Sequence, residues 1–195
     1  VLLFTALKTI SVYCVTYGYG DMDKEKLDII ERRNYLVDKF VNATPREVID
    51  HLPSSIGEQF QGEWALYSCS MFSAALTNIS RLYPETAQDN LSYIQRLIDT
   101  VMSPELRAYD TNRWGEDALV TLHGNKSHIS YISHLAWMIC GYKSVGGDDR
   151  YDAVLSSLCE TMNRRILATP SLNLPTYPGE SIYVPDMLVA IVALK

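Results

Sequence analysis

Basic clusters are scarce in this chain of 195 residues. Lys and Arg number 17 against 23 Asp and Glu, a net charge of −6, and the only adjacent basic pairs are Arg32-Arg33 and Arg164-Arg165. A nucleic-acid surface needs a basic face, so no nucleic-acid partner is expected. The four cysteines (Cys14, Cys69, Cys140 and Cys159) lack C-x-x-C spacing, which disfavours a zinc or thioredoxin-like site. Cys69, Cys140 and Cys159 sit in apolar helical patterns and read as buried, inert thiols. No His or carboxylate pair has tight ligand spacing outside solvated stretches, so neither metal nor another cofactor is expected. Disorder is excluded by 47% apolar and 21% charged residues. A chain of this length buries roughly 70% of its unfolded surface, enough for a core.

Long apolar runs are missing too. A membrane-spanning helix needs about 20 predominantly apolar residues. The longest candidate, residues 1–17 (VLLFTALKTISVYCVTY), stops short of that before Gly18 and Gly20. Two readings stay open for segment 1–20: a buried first helix, or the trailing end of a membrane anchor or signal sequence. The second would make the protein membrane-attached through residues before Val1, or exported. The chain opens on Val1 and stops at Lys195 within the apolar run Met187–Leu194. Both ends predict a piece of a longer protein.

From Asp23 onward the periodicity is helical, and strand signals are weak; only 118–123 (ALVTLH) could form a short strand. Residues 23–42 read as an outer, half-exposed helix. Residues 63–82 are apolar nearly all round, which marks a helix buried on every side. After Pro84, Leu91, Ile94, Ile98 and Val101 share one face of an amphipathic helix. The couplet returns: 129–143 is apolar all round, Gly146-Gly147 breaks it, and 149–167 sets Tyr151, Val154, Leu155, Leu158, Met162 and Ile166 on one stripe. A third apolar helix opens at Pro185-Asp186.

Alternating buried and amphipathic helices predict an all-α fold of repeated hairpins, over residues 21–195, forming part of an α/α-toroid. A solenoid has two exposed faces and leaves few helices fully apolar. In a toroid the inner helices run parallel, so connections 52–62, 108–128 and 168–185 should crowd over one mouth. Helix N-termini there favour an anionic or oxygen-rich ligand.

These connections carry the candidate site residues. The first ends in Glu63-Trp64, the second holds Trp114 and His128, and the third holds Tyr177, Glu180, Tyr183 and Asp186. Aromatics interleaved with carboxylates point to a small organic or sugar-like ligand. Each residue also has a purely structural reading. Asp186 and Glu63 suit the first turn of a helix. His134, one turn after Tyr131, suits either a core or a lumen-facing acid/base. His128 suits an exposed loop, and Tyr177 and Tyr183 suit packing.

Two stretches carry a family resemblance. Tyr131-Ile132-Ser133-His134-Leu135 is followed by Gly147-Asp148-Asp149-Arg150-Tyr151-Asp152; later comes Tyr177-Pro178-Gly179-Glu180-Ser181-Ile182-Tyr183-Val184-Pro185-Asp186. Together they resemble the linalool dehydratase-isomerase domain, an α/α-toroid family, over roughly residues 60–195. The resemblance implies that His134 is the active-site histidine, with Tyr131 beside it. The family's two cysteines would fall on Tyr177 and Asp186, and neither is Cys here. What it then implies is proton transfer at an alcohol or glycosidic oxygen by a Tyr/Asp pair with His134. The arrangement is also similar to that of carbohydrate-active α/α-toroids.

The expected function is an enzyme domain acting on a small alcohol- or sugar-like substrate by cofactor-free acid/base catalysis, lyase/isomerase-like or glycoside-active. Asp186 and His134 would be acid/base partners assisted by Tyr177 and Tyr183. Tyr131, Glu63, Trp64, Trp114, Glu180 and His128 would bind substrate. A partial ring would pair its open side with the remainder of the toroid or a second copy. The alternative is a non-catalytic helical binding or scaffold domain, whose His134 and Asp186 would point into packing.

Overall fold

Local capping chemistry and apolar periodicity set the helices of this computed structural model, which describes residues 22–51, 53, 55 and 57–195. The apolar segment 1–20 lies outside the described residues. The chain divides into two compact units, the first ending at Asp38 and the second starting at Lys39. The described part of the first is α1, Met22–Leu36, a polar helix with an exposed Arg32–Asp28 pair one turn apart. The helix expected over 23–42 ends early, in a π-helical turn, Val37–Val41.

In the second unit Thr44 opens α2, Pro45–Asp50, through a capping box with Glu47. Then come α3, Glu58–Leu82, and α4, Ala87–Val101. Ser103 caps α5, Pro104–Trp114, with Pro104 in its first turn. Gly115, at φ +76°, ends it in the left-handed conformation that glycine tolerates best. Helix α6 spans Ile129–Ser144, α7 Asp152–Leu167 and α8 Val184–Leu194. No strand occurs among the described residues.

Helices α3 and α6 are central. They pack on each other; α3 also meets α2, α4 and α5, and α6 also meets α4, α7 and α8. Helix α4 fully buries Ile94, Leu97, Ile98 and Val101 against them, and α7 buries Leu158 and Met162. Each such side chain contributes roughly 1.5–3 kcal/mol of burial before conformational entropy is subtracted. The couplets expected from the sequence are therefore α3–α4 and α6–α7, with α8 laid beside α6.

Three expectations are corrected. Helix α3 is not buried on every side: Phe60, Trp64, Met71 and Leu82 are exposed along it, and Leu188, Ile191 and Val192 are exposed on α8. Periodicity counts apolar residues but cannot tell which face lacks a neighbour. Connection 108–128 is not all loop, since α5 occupies its start. Finally, 118–123 is a run of turns, not a strand. Asp117 winds it by accepting the N–H groups of Leu119 and Val120. The turns are held against α7 by Arg165, which donates to the carbonyls of Thr121, Leu122, Gly124 and Ser127.

Candidate functional site

The first turns of α3 and the connection before α8 enclose a cleft of about 760 Å³. Gly179, at φ +80°, allows the turn in which the Glu180 N–H donates to the Tyr177 carbonyl. That turn turns Glu180, Ile182 and Tyr183 toward Phe60, Glu63, Trp64 and Tyr67 of α3. The segment before α6 anchors the same loop: Ser127 Oγ donates to the Pro175 carbonyl, and the Ser130 N–H to Thr176 O at 3.3 Å. Trp114, at the end of α5, stacks on Tyr177 with ring centroids 4.1 Å apart. The start of α3, the end of α5 with the segment before α6, and the connection before α8 thus meet at one place.

A hydrogen-bonded chain runs inward from the cleft. The Tyr67 hydroxyl donates to Glu63 Oε1 at 3.1 Å and also stands 3.5 Å from Asp186 Oδ1. Ser130 Oγ lies 2.9 Å from the same phenol oxygen. Behind Tyr67, Asp186 Oδ1 is 3.7 Å from His134 Nε2, and His134 Nδ1 is 2.5 Å from Ser70 Oγ. The His134 ring thus bridges Ser70 and Asp186, one ring nitrogen facing each. Asp186 Oδ2 is buried and has no hydrogen-bond partner.

Burial pushes the Glu63 carboxyl above its ordinary 4.5, and repulsion from Asp186 and Glu180 adds to that, while the Tyr67 and Tyr177 hydroxyls pull it down. Burial likewise raises the Tyr67 and Tyr177 phenols far above their ordinary value, so both remain hydrogen-bond donors. Such an arrangement can present a carboxyl, raised in its tendency to hold a proton, and a neutral phenol to a substrate oxygen.

Of the residues nominated from sequence, Glu63, Trp64, Glu180 and Tyr183 line the cleft. Asp186 and His134 converge behind Tyr67, at 1% and 4% exposure. Tyr177 is buried beneath Trp114, with its hydroxyl 3.2 Å from that of Tyr109. Tyr131 and His128 are elsewhere. The Tyr131 hydroxyl donates to the Val101 carbonyl at 2.9 Å. His128 is no exposed loop residue: it is fully buried, with Nδ1 3.0 Å from Asp110 Oδ1 and Nε2 3.0 Å from Glu116 Oε1. It holds α5 to the start of α6 instead of facing the cleft.

Tyr67, Ser70 and Ser130 were missed. A signal for two of them existed, because Glu63, Tyr67 and Ser70 follow i, i+4, i+7 spacing on one helix face. Among the described residues, no group of three or more His, Cys, Asp or Glu side chains could hold a metal ion. No described helix is long and apolar enough to cross a membrane. Compared with protein-family models, with curated proteins and with solved structures, the chain matches none.

Proposed function

We propose that the cleft is the active site of an enzyme domain that works by acid/base catalysis on a small alcohol- or sugar-like substrate. The observation that carries this reading is the Glu63 carboxyl at the cleft wall, bonded to a phenol that also touches Asp186. Glu63 would protonate a departing alcohol or glycosidic oxygen. The single Tyr67 proton, given to Glu63 in the free cleft, would turn to the same substrate oxygen, with Asp186 and His134 behind the phenol holding its orientation. Because one phenol oxygen touches both carboxylates, their nearest oxygens are less than about 7 Å apart. Paired carboxyls of glycoside-cleaving sites span about 5–10 Å. Dehydration of an alcohol needs the same acid and a proton acceptor on the far side.

The proposed architecture is an incomplete α/α-toroid of the linalool dehydratase-isomerase type. Supporting it are the side-by-side packing of α3, α6 and α8 and the covering positions of α4 and α7. The exposed apolar residues of α3 and α8 would then face the ring's open side.

The test is turnover on a panel of aryl glycosides and small tertiary and secondary alcohols, with Glu63→Gln compared to the parent. Loss of at least about a hundredfold in kcat with an unchanged circular dichroism spectrum supports the reading. Equal turnover by the variant refutes the role of Glu63. A second reading has its own observation: Asp186 and His134 are almost fully buried. A non-catalytic binding domain predicts saturable ligand binding with no turnover anywhere on the panel.

A further inference from the structure

Helix α3 leaves one apolar stripe without a neighbour. Phe60, Trp64, Met71 and Leu82 are between 51% and 66% exposed, and Asn78 is exposed with them. At about 100° per residue, positions 60, 64, 71, 78 and 82 fall within about 40° of one another, a single line along the helix. Successive members are 4, 7, 7 and 4 residues apart, so the series reads the same from either end, with Met71 at its centre. Positions 64 to 80 contain no Lys, Arg, Asp or Glu. Nothing charged on this length of α3 would repel a second α3 laid against it.

The exposed surface is large enough for a stable pair. Four side chains this open leave on the order of 400 Å² of apolar surface uncovered along α3. A standard interface buries about 800 Å² on each partner, rather more than half of it apolar. Val192 of α8 borders the same groove as Asn78, and its exposed neighbours Leu188 and Ile191 extend the patch. The spacing of the stripe favours a second copy over an unrelated partner. In a two-fold interface residue i meets j and j meets i, a condition that a series identical from both ends satisfies at every position.

We infer that two copies of this chain pair through α3, antiparallel, about a two-fold axis beside Met71. Met71 packs on the partner's Met71, and Phe60 packs on the partner's Leu82. Trp64 lies beside the partner's Asn78, whose amide oxygen accepts the indole N–H. The paired length, from position 60 to position 82, is about 33 Å at 1.5 Å per residue. The inference goes beyond the proposed function and does not depend on turnover. Its consequence for the cleft is that the partner's Leu82 stands next to Phe60 on the wall.

Analytical ultracentrifugation of the full chain from about 1 μM to 1 mM tests this. The parent should sediment at twice the chain mass in the upper part of that range. Met71→Glu sets two carboxylates against each other at the axis and should weaken pairing at least about a hundredfold. Met71 is 62% exposed in the single chain, so circular dichroism should be unchanged. Oxidative cross-linking read by mass spectrometry reports the register. Met71→Cys should join position 71 of the two copies, and Phe60→Cys combined with Leu82→Cys should join position 60 to position 82. A chain that stays monomeric throughout would overturn the inference and leave the stripe to another segment or another protein. Pairing unmoved by Met71→Glu would overturn it too, as would cross-links joining position 60 to position 60, the mark of a parallel pair.

Discussion

Substituting Gly62 with alanine probes how α3 supports the cleft. Gly62 lies in the second turn of α3, next to Glu63, where Tyr109 of α5 packs against its backbone. A β-carbon there would stand 2.5 Å from Cγ and Cδ1 of Tyr109 and closer still to its Cβ. These atoms are near the α5 backbone, so the ring cannot swing aside as a long flexible side chain would. Two effects oppose each other. Alanine in a helix interior is favoured over glycine by about 1 kcal/mol. Overpacking typically costs 1–3 kcal/mol, and contact with atoms this close to a backbone belongs at the upper end of that range. The net effect is a destabilisation of about 1–2 kcal/mol. For a chain of this length each kcal/mol moves Tm by about 2–4 °C, so Tm should fall by about 2–8 °C. The displacement should also reach the site, because the Tyr109 hydroxyl lies 3.2 Å from that of Tyr177, which stacks on Trp114. Thermal unfolding followed by far-UV circular dichroism measures the first effect, and the near-UV aromatic signal the second. A Tm equal to or above the parent's would refute the close approach of α5 to α3.

Two further perturbations test the connection below the cleft. Burial alone would raise the Asp117 carboxyl, but hydrogen bonds from Arg107 and from the Leu119 and Val120 N–H groups hold it below its ordinary 3.8. Its stabilising contribution is therefore present above pH 3.8 and lost as the pH falls through the folded value. Asp117→Asn should lower stability at neutral pH, and the gap to the parent should close in acid; a gap that is the same at both pH values in urea unfolding refutes the assignment. Arg165 is 2% exposed and donates to four carbonyls of the turn run. Leaving several of these unpaired in Arg165→Met should cost about 3 kcal/mol or more and open the chain to trypsin at Lys126. A loss below about 0.5 kcal/mol, with Lys126 uncut, would show that Arg165 does not hold the connection.

Parts of this site were legible as pattern and parts were not. Ser103-Pro104 and Gly115 are plain start and stop signals for α5, yet its polar sequence lacks the apolar periodicity that reveals a helix. Glu63, Trp64, Glu180 and Tyr183 were found because carboxylates and aromatics cluster at helix starts. Tyr67 was missed because a tyrosine inside an apolar helix looks like core, and only the approach of Asp186 from α8 makes it the junction of the hydrogen-bonded chain. His128 misled in the opposite sense. It follows the polar stretch Gly124–Ser127 and looks solvated, but Asp110 on α5 and Glu116 beyond it close on both ring nitrogens.

The sequence by itself determined the helical class, the pairing of each buried helix with an amphipathic one, and the gathering of chemistry-capable residues in three connections. These are local properties, set by a repeat of 3.6 residues, by caps and by breakers, and each can be read within one stretch of chain. Only the tertiary structure decided which face of α3 lies open, that His134 and Asp186 stand behind Tyr67 and not at the cleft wall, and that acidic and aromatic side chains share one cleft. Those outcomes depend on side chains separated by 64 to 119 positions meeting at hydrogen-bond distance. No local periodicity encodes that distance, because it is set by how neighbouring helices bury each other's faces.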